Sequence, residues 1–207
     1  MLFEEIFVSH PQGKMKGIPA ITTSMLENPV CAARAKNPDS ICAKCYAHKG
    51  LMCYKNARSA YGRNTRLLSS HDLQAHEIPT INSVICRFET HGDLCNVTHA
   101  KNYLRIAYNN PWCTFALWTK NPAFLDKAIA DLGKPANLIC VYSSDKVNKV
   151  NQSYKKWWWI DKVFTVYDKD FVSENGVEIN CGAKSCNTCR KCYNKADTEF
   201  FIREILK

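Results

Sequence analysis

Twelve cysteines in 207 residues, gathered mostly towards the two ends of the chain, constrain this sequence more than any other feature. They stand at positions 31, 42, 45, 53, 86, 95, 113, 140, 181, 186, 189 and 192. The sequence opens Met1-Leu2-Phe3-Glu4-Glu5, with acids where a secretory signal carries Lys or Arg. No apolar run approaches the roughly 18 residues that cross a bilayer. The expectation is a cytoplasmic chain, not a membrane protein, whose thiols stay reduced. Structural disulfides then give way to metal or cluster binding as the use of so many cysteines.

The C-terminal group, Cys181-x4-Cys186-x2-Cys189-x2-Cys192, fills residues 181–192. Three thiols at successive intervals of three wrap a short polar loop around a compact object, as bacterial ferredoxins do around a 4Fe–4S cube. A single tetrahedral zinc more often takes two separated Cys-x2-Cys knuckles, so zinc stands as the alternative. Cys181 supplies a fourth thiolate. The N-terminal group occupies residues 31–53. Cys42-x2-Cys45, followed by Tyr46, forms one knuckle, and Cys31 adds a third ligand. Cys53 and Cys95 stand as spare ligands. Cys86, Cys113 and Cys140 lie in apolar runs and are expected in the core, where free cysteine is common.

Between the groups the chain alternates strand-like and helix-like segments. Strands are expected at Ile18–Thr23, Ile81–Phe88, Trp112–Trp118, Asn137–Tyr142, Lys162–Tyr167 and Val177–Asn180. Helices are expected at Tyr54–Leu68, 98–108, Ala123–Leu132 (with Gly133 as the stop), Ser153–Trp159 and Ala196–Leu206. Strand–helix alternation with apolar strands implies parallel βα units covered on both faces. Five or six strands are too few for a closed eight-stranded barrel. The expected fold is a single α/β domain over 1–207, an incomplete parallel βα barrel with cysteine-rich loops near both ends. Chemistry in such folds gathers at the C-terminal ends of strands. The polar residues placed there are Glu89, His91, Gly92 and Asp93, then Thr119 and Lys120, then Ser143, and these are the candidates for binding a cofactor.

Three segments together resemble one family. Cys42-Ala43-Lys44-Cys45-Tyr46-Ala47-His48-Lys49-Gly50 resembles the Cys-Tyr-Ala-x-x-Gly segment of the phage gene product 88 domain family. Arg87-Phe88-Glu89-Thr90-His91-Gly92-Asp93 looks like that family's Arg…Ser-Gly-Asp segment, and Asn110-Pro111-x4-Ala116-Leu117-Trp118-Thr119-Lys120 is similar to its Asn-Pro…Phe-Trp-x-x-Thr-Arg segment. The sequence is also distantly similar to radical S-adenosylmethionine enzymes, which carry a three-cysteine 4Fe–4S loop and a partial βα barrel. That resemblance implies Cys31, Cys42 and Cys45 as cluster ligands and Gly92-Asp93 beside the amine of S-adenosylmethionine. The spacing here is Cys-x10-Cys-x2-Cys where those enzymes have Cys-x3-Cys-x2-Cys. Cys53, Glu89, His91 and Cys95 are the candidates for a fourth ligand.

Three functions follow as expectations. One is a two-cluster enzyme of radical or redox type, acting on a small molecule. Another is an electron-transfer or sensing protein with closed clusters and a redox partner. The third is a zinc-stabilised nucleic-acid-binding protein, motivated by the net charge of +9 and by Lys155-Lys156-Trp157-Trp158-Trp159. Consecutive Trp residues cannot share one helix face, so at least one is expected in the core. Two bound clusters would bring the charge nearer to about +6, which weakens the nucleic-acid footprint.

Overall fold

Residues 5–206 are described by the computed structural model, and their strands form one seven-stranded sheet in strictly sequential order. The strands are β1 Val8–Ser9, β2 Ala20–Ile21, β3 Ile85–Phe88, β4 Thr114–Thr119, β5 Leu138–Val147, β6 Lys162–Tyr167 and β7 Phe201–Ile205. The helices are α1 Pro29–Ala35, α2 Tyr46–Cys53, α3 Lys55–Ser70, α4 Val97–Asn109, α5 Pro122–Leu132, α6 Lys169–Asn175 and α7 Cys186–Cys189. From β2 to β7 every pairing is parallel, and only β1 runs antiparallel, against β2. The sheet is not closed, with β1 and β7 as its edges.

A sheet that always adds the next strand on the same side winds in one sense and keeps its crossover helices on one face. The pleat sorts the side chains accordingly. Cys86 and Phe88, Phe115 and Leu117, and Leu138 and Cys140 face the helix side. There they meet Leu68, Tyr103, Leu104, Ile106, Leu125 and Ala128 from α3, α4 and α5. Phe88 stacks on both Tyr103 and Phe115, with ring centroids 4.1 and 4.7 Å apart. The intervening residues, Ile85, Ala116, Trp118, Ile139 and Val141, face the opposite way. No helix of the α3–α5 set reaches that inner face. Ile18, Met15, Tyr193, Cys186 and Cys192 cover it instead. The C-terminal cysteine loop therefore covers the face of the open sheet that these helices leave bare, and burial there depends on how well that loop is held.

The central helices and strands lie where their patterns predict, within two or three residues at most boundaries. The helix pattern of 98–108 becomes α4, and α5 ends at Gly133, whose φ of 77° suits glycine. The expectation of five or six strands falls short of the seven observed. The segment Ala196–Leu206, expected as a helix, instead contains strand β7. Phe201 and Ile202 face opposite sides of the sheet, Phe201 the helix side and Ile202 the cysteine loop, and the edge of β6 offers this segment a parallel ladder. A short apolar run cannot be told apart as helix or strand by periodicity alone. Val177–Asn180 is not a strand, and the cysteine loop precedes the last strand where it was expected to follow it. Ser153–Trp159 is helical only as a 3-10 turn, Gln152–Lys156. Cys86, Cys113 and Cys140 are fully buried, as expected. Trp159 is in the core with its Nε1 donating to Asp126 Oδ1 at 2.7 Å, while Trp158 is 83 % exposed.

Candidate functional site

The N-terminal cysteines lie on the long crossover between β2 and β3, which leaves the sheet at a C-terminal strand end. Asn28 starts α1: its side chain accepts from the N–H groups of Val30 and Cys31, and its Nδ2 donates to the Asp93 carbonyl at 2.7 Å. One turn after Cys31, Arg34 donates to the Lys120 carbonyl at 2.6 Å and lies 3.6 Å from Asp93 Oδ2. Two anchors on one short helix thus fix Cys31 over the ends of β3 and β4. Ser40 caps the turn Ile41–Lys44 by accepting from Cys42 N–H, and Cys45 then stands at the start of α2 without a side-chain cap. Burial pushes the Cys31 thiol well above the usual range, and the charges of Asp93, Glu89, Cys42 and Cys45 add to that rise. Two further thiols and two carboxylates thus lie within electrostatic range of Cys31. Cys53 sits at the far end of α2 and is exposed. At 1.5 Å rise per residue that is about 12 Å along the helix from Cys45, too far for the two to bind one metal centre.

The polar residues expected at the strand ends form one connected layer. Asp93 Oδ1 accepts from Thr119 Oγ1 at 2.6 Å and from Leu94 N–H, and Asp93 Oδ2 accepts from Lys120 N–H at 2.9 Å. Lys120 Nζ donates to Ser143 Oγ at 3.0 Å. Asp93, Thr119, Lys120 and Ser143 therefore tie the ends of β3, β4 and β5 together. Glu89 turns inward instead. Its backbone is left-handed, with φ 62°, and its carboxylate accepts from Thr23 N–H, Thr23 Oγ1 and Tyr103 Oη at 3.1, 2.8 and 2.8 Å. Burial pushes Glu89 up to about 7 against these donors, which pull the other way. The close approach at Gly92 is to this same cluster: a Cβ there would stand 2.2 Å from Thr23 Oγ1 and 2.7 Å from Glu89 Oε2.

His91 Nδ1 pairs with Thr90 Oγ1 at 2.8 Å, and its ring lies between Tyr46 and Tyr61. Burial, then Arg87, lowers its pKa. Cys95 donates its N–H to His99 Nδ1 at 3.2 Å, and burial with Glu89 and Asp93 nearby pushes its thiol up to about 12. His99 is fully buried, and burial lowers its pKa to about 3. Its Nε2 lies 3.4 Å from Glu89 Oε1 without a well-aligned hydrogen bond. Thr23, Asn28, Arg34, His99 and Tyr103 were not legible as site residues. Asn64, in α3, is fully buried and donates to the carbonyls of Phe7 and Thr22.

The four C-terminal cysteines, Cys181, Cys186, Cys189 and Cys192, line a single cavity together with Lys14, Arg190 and Tyr193. Ser185 caps α7 by accepting from Thr188 N–H, and Arg190 ends it with a left-handed φ of 52°. This tight reversal presents Cys186, Cys189 and Cys192 to one side. Cys181 is fixed by its N–H to the Arg203 carbonyl of β7. Lys14 Nζ donates to Cys181 Sγ at 3.2 Å and to Glu204 Oε1 at 2.9 Å. Burial pushes the Cys192 thiol up to about 12. Arg87, on the inner face of β3, stands between the two cysteine groups. Its guanidinium lies 3.8 Å over the Trp118 ring, its Nε donates to the Glu89 carbonyl, and Trp118 packs with Cys186 and Cys192.

Among the described residues, no three His, Cys, Asp or Glu side chains converge as a single metal ion would require. No helix among them is long and apolar enough to cross a membrane. A family model described as gene product 88 matches residues 8–199, a span that takes in both cysteine groups. No curated protein and no solved structure matches the chain.

Proposed function

The chain belongs to the gene product 88 family, and from that premise we propose that it is an iron–sulfur protein holding two clusters of 4Fe–4S type. The observation that carries this reading is the single cavity lined by Cys181, Cys186, Cys189 and Cys192. An all-sulfur donor set suits iron–sulfur clusters and zinc alike. The spacing favours the cluster: three thiols at successive intervals of three wrap one compact object, where a single zinc more often takes two separated Cys-x2-Cys knuckles. Lys14 and Arg87 supply positive charge beside sulfur that must ionise to bind iron.

At the N-terminal group, Cys31, Cys42 and Cys45 would hold the second cluster. Glu89 is spent on Thr23 and Tyr103, and Cys53 lies about 12 Å along α2, so neither serves as a fourth ligand there. A cluster with three thiolates leaves one iron for a small ligand, and reductive cleavage of S-adenosylmethionine is the chemistry such a cluster supplies. The finer reading is therefore a radical-type enzyme. Arg34 and Asn28 position Cys31, Asp93 joins its helix to the strand ends, and Lys120 presents a cation beside it.

Anaerobic reconstitution with iron and sulfide tests the two-cluster reading. About eight iron and eight sulfide per chain are expected, falling to about four of each in Cys186→Ala/Cys189→Ala and in Cys42→Ala/Cys45→Ala. Stoichiometric zinc in a colourless protein that refuses iron overturns it. Cleavage of S-adenosylmethionine by the reduced protein supports the radical reading. Intact clusters with neither binding nor cleavage overturn that finer reading and leave an electron-transfer protein.

A further inference from the structure

A second cavity, of about 290 Å3, opens beside the strand-end layer, between the start of α5, the end of β5 and the turn Gln152–Lys156. Its size is at the low end of small-ligand sites. Its walls differ sharply in chemistry. The lining combines the cations Arg34 and Lys120, linked through the Lys120 carbonyl, with the rings of Phe124, Tyr142 and Trp157 and with Asp145 near Tyr142.

The cationic side has unused capacity. Lys120 Nζ has three donors and meets only the neutral Ser143 hydroxyl among its described hydrogen-bond partners. Arg34 spends one N–H on the Lys120 carbonyl and faces Asp93 at 3.6 Å, which leaves donors of its five for a ligand. That carbonyl contact also fixes the guanidinium in place. The α5 N-terminus adds to this side. It has Pro122 in its first turn, and Asn121 at its start makes no side-chain cap.

The aromatic side is built rather than incidental. Tyr142 and Trp157 lie 6.4 Å apart at 30° between ring planes, and Tyr142 Oη is tied to Ser153 Oγ at 2.7 Å. A register shift in β5 between Ser143 and Val147 carries Asp145 out of the ladder. Asn151 Nδ2 then holds Asp145 Oδ1 at 2.8 Å. The remaining Asp145 oxygen suits an N–H on a ring edge.

We propose that this cavity binds a planar ring carrying an anionic group, phosphate or carboxylate, with the ring against Tyr142 and Trp157 and the anion on Arg34 and Lys120. The site shares Lys120 with the strand-end layer but needs no cluster, so the inference does not rest on the iron–sulfur reading. Titration of the full-length protein, followed by intrinsic tryptophan fluorescence and calorimetry, tests it, and the result reads the same with or without iron. The probes are the four ribonucleoside 5′-monophosphates, their parent nucleosides, indole-3-acetate with uncharged 3-methylindole, and inorganic phosphate. At least one ring-borne anion is expected to bind about tenfold tighter than both its uncharged parent and inorganic phosphate. A winning monophosphate assigns the anion as phosphate, and a winning indole-3-acetate assigns it as carboxylate. Lys120→Gln is expected to erase the tenfold preference, Lys120→Arg to keep it, and Trp157→Leu to weaken ring binding with or without the anion. The proposal is overturned if no charged ring binds by about 5 mM, if the uncharged parents bind equally well, or if Lys120→Gln, folded by circular dichroism, changes nothing.

Discussion

Gly92 leaves no room for a methyl group, and the reason lies 69 residues away in the chain, at Thr23. Gly92→Ala is expected to destabilise by about 1–3 kcal/mol, because the atoms it meets are a buried backbone carbonyl and a buried carboxylate that cannot swing aside. Gly50→Ala, where the added Cβ meets nothing within 4 Å on α2, is expected to be neutral or to stabilise by up to about 1 kcal/mol. Urea unfolding of the pair checks both, and equal effects would refute the packing account. The same pocket makes a pH prediction. Glu89, raised to about 7, contributes stability that is present below its unfolded pKa and lost as pH rises through 7. His99, lowered to about 3, contributes stability that is present above its unfolded pKa of about 6.5 and lost as pH falls. Between about pH 4.5 and 6.5 the two slopes oppose each other. Relative to wild type, Glu89→Gln is expected to make stability climb with pH across that window, by up to about 1.4 kcal/mol per unit. Unfolding midpoints at pH 4.5, 5.5 and 6.5 measure this, and a parallel profile would show that Glu89 does not titrate there.

Helix α1 is only 7 residues long, too short to be stable by its own backbone bonds, so its place depends on its two anchors. Asn28→Ala removes an N-cap worth about 1 kcal/mol and leaves the buried Asp93 carbonyl without its donor. The expected result is a loss of about 2–3 kcal/mol and, if the N-terminal group holds the proposed cluster, a fall from about eight iron per chain to about four. Retention of all the iron in a folded variant would show that α1 does not position Cys31. Much at this scale was legible in advance. The Pro and Gly punctuation of α5 and the apolar periodicity of α4 need nothing beyond their neighbours in sequence. Strand β7 was misread because Phe200-Phe201-Ile202 takes its conformation from the open edge of β6, not from its own pattern.

At the scale of the whole molecule, the sheet has helices on one face and the C-terminal cysteine loop on the other. If that loop is held by a cluster, removing iron with a chelator weakens the cover over Trp118, Ile139 and Val141 while leaving the helix side packed. A drop in stability of at least about 3 kcal/mol is expected, with faster amide exchange in Lys191–Tyr193 than in α4. An unchanged melting temperature and exchange pattern would show that the loop holds itself. The sequence by itself determined the two cysteine groups, the parallel α/β character and the polar residues Asp93, Thr119, Lys120 and Ser143, because spacing, periodicity and residue chemistry are local properties. Tertiary structure alone decided that Glu89 turns inward to Thr23, Tyr103 and His99, that Arg34 ties Cys31 to the strand ends, and that the last cysteines plug the inner face of the sheet. Each of those depends on which distant residues the parallel order of the strands brings together, and no local propensity encodes that meeting.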